Sequence, residues 1–227
     1  MRCHVAFTPA EAARAQLGIV VDVMRATSTI AQALASGYRR VLCCAEIEDA
    51  LALRAELGNE AITGGERDAQ RVADFDAGAS PREFRDPKAE TLILSTTNGT
   101  RSIVAAAEAC DEVVVGALLN LEAVAAYARE RGEDVTVLCA GYKGAFAIDD
   151  AYCAGRIVHL VGGERTDAAI AAELVAERFP HAIDGINART YGPPGLEDDI
   201  AWCAQESVLD VLPRFTAMVG PAAEITK

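Results

Sequence analysis

The stretch "IVVDVMRATSTIAQALASG", residues 19–37, opens as a β-branched apolar run and ends as a helical pattern that closes on Gly37. Apolar residues at consecutive positions suit a strand buried on both faces of a parallel sheet, and the change of period marks a strand handing over to a helix. At the changeover stand Asp22 and Arg25, followed by the hydroxyls of Thr27, Ser28 and Thr29. An acid at the end of an apolar strand is costly to bury without a partner. That position is therefore read as functional.

The same alternation continues outward along the chain. Strands are expected at residues 18–23, 40–44, 60–65, 91–95, 112–116 and 134–140. Between them, Leu121, Val124, Ala125 and Ala128 recur at helical spacing behind Asn120 as N-cap, and helical patterns follow Asp149 and pass through Ile170, Leu174 and Val175. A last helix is expected to carry Ile200, Cys203, Ala204, Ser207, Val208 and Val211. The expected fold is a three-layer α/β/α arrangement on a mostly parallel sheet with a C-terminal helical portion. Residues 1–227 are read as a single domain, with a helical subregion after about residue 165. Residues 64–90 form a long segment of little periodicity, and loops of that length inside a compact domain are usually functional. Residues 180–196, rich in proline and glycine, read as a connection to the last helix.

Composition narrows the class. The chain of 227 residues is 51% hydrophobic and 24% charged, as in an ordinary globular protein, and carries a formal charge of −13. Such a charge argues against nucleic acid or an anionic membrane as partner. No apolar run is long enough to span a bilayer and no secretory signal is seen, so the cytoplasm is the expected location. A homo-oligomer is the base-rate expectation. The seven cysteines include no C-x-x-C pair and sit mostly in apolar runs, which reads as core packing, Cys139 included. The three histidines, at 4, 159 and 181, lie apart from the polar clusters, which disfavours a histidine-based triad.

In open α/β sheets ligands bind at the carboxyl ends of the strands. After the first expected strand come Asp22, Arg25, Thr27 and Ser28; after the third, Gly64-Gly65-Glu66-Arg67 and then Asp76; after the fourth, Thr96-Thr97-Asn98-Gly99-Thr100-Arg101; after the sixth, Lys143, then Asp149 and Asp150. The segment "TTNGTR" places free amides at the start of a helix, where the positive end of the dipole suits a phosphate. Thr97, Asn98 and Thr100 add side-chain donors, and Arg101 a charge-assisted fork. The acids Asp22, Glu66, Asp76, Asp149 and Asp150 are oxygen donors of the kind Mg²⁺ takes. Arg25, Arg67, Arg101 and Lys143 supply the cations an acidic protein needs to hold an anion.

These segments resemble the 2-phosphosulfolactate phosphatases. "DVMRATST", "GGER" followed by "FDAGASP", "TTNGTR", "CAG" at 139–141, "DDAYCAG" at 149–155 and "DDIAWC" near the end stand in the family's order. The resemblance spans roughly residues 18–215. It departs at Ser28, where the family has threonine, at Ala79 for asparagine, at Asp149 for glutamate and at Asp68-Ala69 for Asn-Gly. The loss of a side-chain donor at Ala79 bears on substrate identity more than on the chemistry.

The resemblance implies a Mg²⁺-dependent acid phosphatase linked to coenzyme M biosynthesis, which hydrolyses 2-phospho-3-sulfolactate to sulfolactate and phosphate. Its catalytic groups would be Asp22, Arg25 and Glu66. Metal ligands would come from Asp22, Glu66, Asp76, Asp149 and Asp150. Thr27, Ser28, Arg67, Thr97, Asn98, Gly99, Thr100, Arg101 and Lys143 would hold a small anionic phosphoester. The attacking group stays open between a water and a carboxylate such as Asp22. Two alternatives stand beside this reading: a phosphatase of the same fold for another small phosphorylated acid, and a non-catalytic anion-binding protein.

Overall fold

A computed structural model describes residues 1–11 and 14–227. In chain order the first half contains β1 (Arg2–Ala6), β2 (Leu17–Val21), α1 (Ala26–Ser36), β3 (Arg40–Cys43), α2 (Ile47–Leu57), β4 (Ala61–Arg67), β5 (Gln70–Arg71), β6 (Thr91–Ser95) and α3 (Gly99–Ala109). The second half contains β7 (Glu112–Gly116), α4 (Leu121–Arg131), β8 (Val135–Cys139), α5 (Ile148–Val161), β9 (Glu164–Arg165), α6 (Asp167–Arg178), α7 (Ala182–Asn187), α8 (Glu197–Cys203), β10 (Arg214–Val219) and β11 (Ala222–Thr226).

Among the described residues the strands form one sheet in the order β5-β4-β6-β3-β11-β10-β7-β2-β8-β1-β9. It contains two parallel runs, β4-β6-β3 and β7-β2-β8-β1-β9. The opening stretch supplies β2, whose five residues are all buried between β7 and β8. Successive β2 residues serve opposite layers, as the pleat requires. Ile19 and Val21 pack with Val124, Ala125 and Ile157 of α4 and α5, whereas Val20 packs with Ile30, Leu34 and Ile103 of α1 and α3. On the far part of the sheet Leu42 and Ile93 meet Ala50 and Leu53 of α2. Helices thus cover both faces, and the fold is the three-layer α/β/α one. Gly37 ends α1 at φ 114°, a region that favours glycine, and its N–H donates to the Leu34 carbonyl.

The C-terminal region differs from the sequence expectation. Helices α6, α7 and α8 supply the helical portion, but the last of them stops at Cys203 instead of running through Val211. Residues 204–213 run beside the segment after β7, with the Ser207 and Leu209 amides donating to the Leu118 and Leu119 carbonyls, and Val211 enters the core without being helical. The chain then forms the hairpin β10–β11. Its second strand runs antiparallel to β3, and its first meets β7 at Arg214 opposite Val114. Asn120 stands at the N-cap position of α4, but its side chain turns inward, accepting from the Ala117 amide and donating to the Val115 and Val211 carbonyls. All seven cysteines are free, and burial holds the Cys139 thiol well above its ordinary pKa, which withholds a thiolate. No helix among the described residues is long and apolar enough to cross a membrane.

Candidate active site at the sheet rim

The loops after β2, β4, β6 and β8 meet at one cleft of ≈ 590 Å³, open mouth included. The loop after β2 brings Asp22, Met24 and Arg25; β4 and its turn bring Glu66, Asp68 and Ala69; the loop after β6 brings Thr96, Thr97 and Asn98. Tyr142 enters from the loop after β8, and Ala79 from the long irregular segment. The connection between α7 and α8 closes over them with Arg189, Tyr191 and Leu196.

Two carboxylates are anchored on the start of α3. The Gly99 amide and, from α1, the Ala26 amide (3.4 Å) donate to the Asp22 carboxylate. The Glu66 carboxylate accepts from the Thr97 amide (2.7 Å) and hydroxyl (3.1 Å), and from the Ala69 amide (2.6 Å). The sequence reading gave these amides to a phosphate, and the structure gives them to protein acids. The Thr100 amide is also taken, by the Thr96 hydroxyl at 3.1 Å. A helix N-terminus attracts a fixed carboxylate for the same reason that it attracts an anionic ligand. Glycine is needed at position 99 because a Cβ there would run into the Asp22 carboxylate and the Ala26 side chain.

Asp22 stands in a field of like charge. Burial first, then the carboxylates of Glu66 and Asp149, push its pKa up to about 7. Asp149 is itself buried and raised, with burial the main cause; its carboxylate accepts from the Tyr191 hydroxyl and from the Asp150 amide at 3.1 Å. Asp150 spends both oxygens on backbone, accepting from the Val23 amide (2.9 Å) and the Gly141 amide (3.0 Å). It thereby ties the loop after β2 to the loop after β8.

Several residues expected to touch a ligand serve the scaffold instead. The hydroxyls of Thr27 and Ser28 donate back to the carbonyls of Asp22 and Val23, at 2.8 Å each. Asp76 lies outside the cleft, where it accepts from the Thr63 amide and hydroxyl and pairs with Arg54 at 3.2 Å. Arg67 donates to the carbonyls of Glu66 and Ala45 and to the Ser95 hydroxyl, Arg101 pairs with Glu46 at 2.8 Å, and Lys143 pairs with Asp68 at 2.5 Å. Thr100, buried, bonds to Thr96, and none of Arg67, Arg101 and Lys143 lines the cleft. The physical reason is common to them: a loop that must hold a charged ligand first has to satisfy its own backbone and its own charges.

Arg25 lines the cleft but is paired to Asp199 at 2.6 Å, with the two side chains only 10% and 7% exposed. Ser80 also donates to Asp199, at 2.5 Å. Removing one partner of such a pair strands a buried charge. Arg25→Ala is therefore expected to cost roughly 3 kcal/mol of folding stability, read as a lower denaturant midpoint. A midpoint equal to the wild type would mean that Asp199 is compensated elsewhere.

Sequence reasoning missed Arg189, Tyr191 and Tyr142. The two tyrosine rings stack at 4.2 Å between centroids, and the Arg189 Nε donates to the Tyr191 carbonyl at 3.3 Å. For Arg189 and Tyr191 the available signal was the long Pro- and Gly-rich connection itself, since structureless loops of that length tend to carry function; for Tyr142 it was its place in the loop after the sixth expected strand.

Comparison with known proteins gives consistent descriptions. A family profile described as 2-phosphosulpholactate phosphatase matches residues 4–217. A probable 2-phosphosulfolactate phosphatase of Clostridium acetobutylicum is 36% identical over 217 residues, covering 91% of this chain and 92% of the relative. One from Thermotoga petrophila is 35% identical over 219 residues, covering 93% and 94%. One from Clostridium novyi is 34% identical over 209 residues, covering 87% and 88%.

Proposed function

We propose, from the premise that the chain belongs to the 2-phosphosulfolactate phosphatase family, that its rim cleft hydrolyses the phosphate ester of 2-phospho-3-sulfolactate with the help of Mg²⁺. The observation that carries the reading is the pairing of Asp22 and Glu66 at the start of α3, close enough to Asp149 for their mutual repulsion to raise the proton affinity of Asp22. A set of acids in this state, Asp22 and Asp149 buried and Glu66 half-buried, fits a divalent cation.

The donor set also fits the identity of the ion. Among the described residues no group of three or more His, Cys, Asp or Glu side chains is placed to hold a metal ion, so the protein would offer fewer than three side-chain ligands. Mg²⁺ needs one or two carboxylates and leaves its other positions to water and to substrate phosphate. Asp22 and Glu66, which line the cleft, would be those carboxylates, with Asp149 behind them; Asp76 and Asp150 do not line it. Bound there, the ion would supply neutralisation of charge on the transferring phosphoryl group.

The chain's own residues do the rest. The ester P–O bond breaks as an oxygen of water bonds to phosphorus, and the departing alkoxide takes up the proton that the water gives up. The amides of Ala26, Gly99 and Thr97 fix the two carboxylates before substrate arrives, so no reorganisation is needed at the moment of reaction. Tyr191, leaning over Asp149, and Leu196 narrow the access of solvent. In this reading water attacks directly. Recovery of phosphate covalently bound to Asp22 from quenched turnover would replace it by a two-step route.

Chelation tests the metal. Treatment with EDTA is expected to reduce phosphate release from 2-phospho-3-sulfolactate by at least a hundredfold, with recovery on adding Mg²⁺. Undiminished turnover in the metal-free enzyme would end the metal assignment. One observation favours a second substrate: Ala79, where the family has asparagine, is part of the cleft wall, and its carbonyl accepts from the Thr29 hydroxyl at 2.8 Å. A panel of phosphosulfolactate, phospholactate and phosphoglycerate separates the two readings by their kcat/KM.

A further inference from the structure

The basic side chains lining the cleft are Arg25 and Arg189. Arg25 is neutralised by Asp199 and also donates to the Ala69 carbonyl. Arg189 is in a different state. Its Nε is satisfied by the Tyr191 carbonyl, but its Nη1 is buried with no hydrogen-bond partner. A guanidinium N–H withdrawn from water and left without an acceptor costs free energy, and native structures hold few such groups. In a cleft wall, the missing acceptor is most simply a ligand atom.

The charge balance of the cleft says what kind. Asp22 and Glu66 repel every anion of a substrate except the one that a metal ion draws in. A small phosphorylated acid also carries anionic groups that do not react. Those groups need a cation of their own, and Arg25 is already spent. Arg189 comes from the α7–α8 connection, whereas the carboxylates come from β4 and the loop after β2. Its planar fork matches a carboxylate or a sulfonate, both of which present two or more oxygens. The stacked Tyr142 and Tyr191 rings flank it with apolar surface for the carbon skeleton.

We propose that Arg189 is a specificity-determining residue that receives the carboxylate or sulfonate left untouched by the reaction, at its unpartnered Nη1. The proposal rests on the reading of the cleft as a phosphatase site for a small phosphorylated acid. A competing role is purely internal: the Arg189 charge favours the ionised form of Asp149.

The full-length protein with Mg²⁺ tests it, as wild type, Arg189→Lys and Arg189→Gln. Lysine keeps the charge beside Asp149 and loses the fork, so one variant keeps its fold even where glutamine disturbs it. Calorimetric titration with 3-sulfolactate is expected to show at least a tenfold greater loss of affinity in both variants than titration with inorganic phosphate. The ratio of kcat/KM for 2-phospho-3-sulfolactate to that for p-nitrophenyl phosphate is expected to fall at least tenfold. Titration with lactate, which lacks the sulfonate, and with 2-hydroxyethanesulfonate, which lacks the carboxylate, then assigns the contact: a matching loss for lactate alone points to the carboxylate, and one for 2-hydroxyethanesulfonate alone to the sulfonate.

Equal losses for phosphate and 3-sulfolactate would overturn the proposal in favour of a grip on the phosphoryl group. Full rescue by lysine would reduce Arg189 to a counter-charge for Asp149. A wild type that does not bind 3-sulfolactate overturns it as well. A wild type that binds 3-sulfolactate through Arg189 but releases phosphate from no ester keeps this inference and sinks the phosphatase reading.

Discussion

A chain ending at residue 213 is expected to lose its cooperative unfolding transition and to aggregate on expression. The hairpin it lacks is not an appendage at the sheet edge. β11 pairs Ala223 with Cys43 and Ile225 with Val41, and β10 reaches β7, so the hairpin fills the space between the two parallel runs. Ala222, Ala223 and Ile225 are wholly buried, and α3 packs across both runs and β11 between them. Without the hairpin, β3 and β7 present unpaired edges in the middle of the molecule, an arrangement prone to pairing with other chains. The loss of ladder bonds and buried side chains exceeds what a domain with a net stability of about 5–15 kcal/mol can absorb. A milder variant grades the effect: Ile225→Ala should cost roughly 3 kcal/mol by leaving a cavity. A truncated chain with a wild-type denaturation curve would show that the two parallel runs hold together unaided.

That hairpin is also where the sequence was least legible, and the reason is physical. β2, β6, β7 and β8 lie buried between two helical layers, so they read as unbroken apolar runs and were located to within a residue or two. β10 has a largely exposed pattern, and β11 mixes alanine with Glu224, so neither shows the run or the alternation that marks a strand. The helical spacing of Cys203, Ser207 and Val211 pointed the other way, yet the chain leaves the helix after Cys203, and Val211 enters a different core cluster from Cys203. Long-range pairing overrode a local period.

The site divides along the same line. The rim position of Asp22, Glu66, Thr97 and Asn98 followed from strand ends alone, because topology fixes where a parallel strand delivers its last residue. What each side chain then does depends on neighbours distant in sequence. Arg67 answers to Ala45 and Ser95, and Arg25 to Asp199, and no spacing rule gives those pairings. Arg189 and Tyr191 lie in an aperiodic connection, so their approach to the cleft is decided by where α7 and α8 pack.

Asp22→Asn is expected to lower kcat by at least a thousandfold while raising the stability of the metal-free protein. The two effects share one cause. The carboxylate lies between the starts of α1 and α3, buried, with Glu66 and Asp149 close enough to push its pKa from 3.8 up to about 7. Between those two values the folded state binds a proton that the unfolded chain has already released. Stability therefore falls as pH rises through this window, and the cost is fully present above pH 7. Asparagine carries no charge to be repelled, so the variant should lack this slope: similar to the wild type at pH 4, and more stable at pH 8 without metal. Added Mg²⁺ should narrow the gap by stabilising the wild type alone. Activity moves the opposite way, because the neutral amide is a poor ligand for a hard cation and leaves Glu66 to hold it unaided. Denaturant melts at pH 4 and pH 8, with and without Mg²⁺, beside phosphate-release rates, check both halves. A variant that loses activity and stability together at pH 8 would mean that Asp22 is a structural anchor for the two helices, and a variant that keeps its rate would remove Asp22 from the reaction.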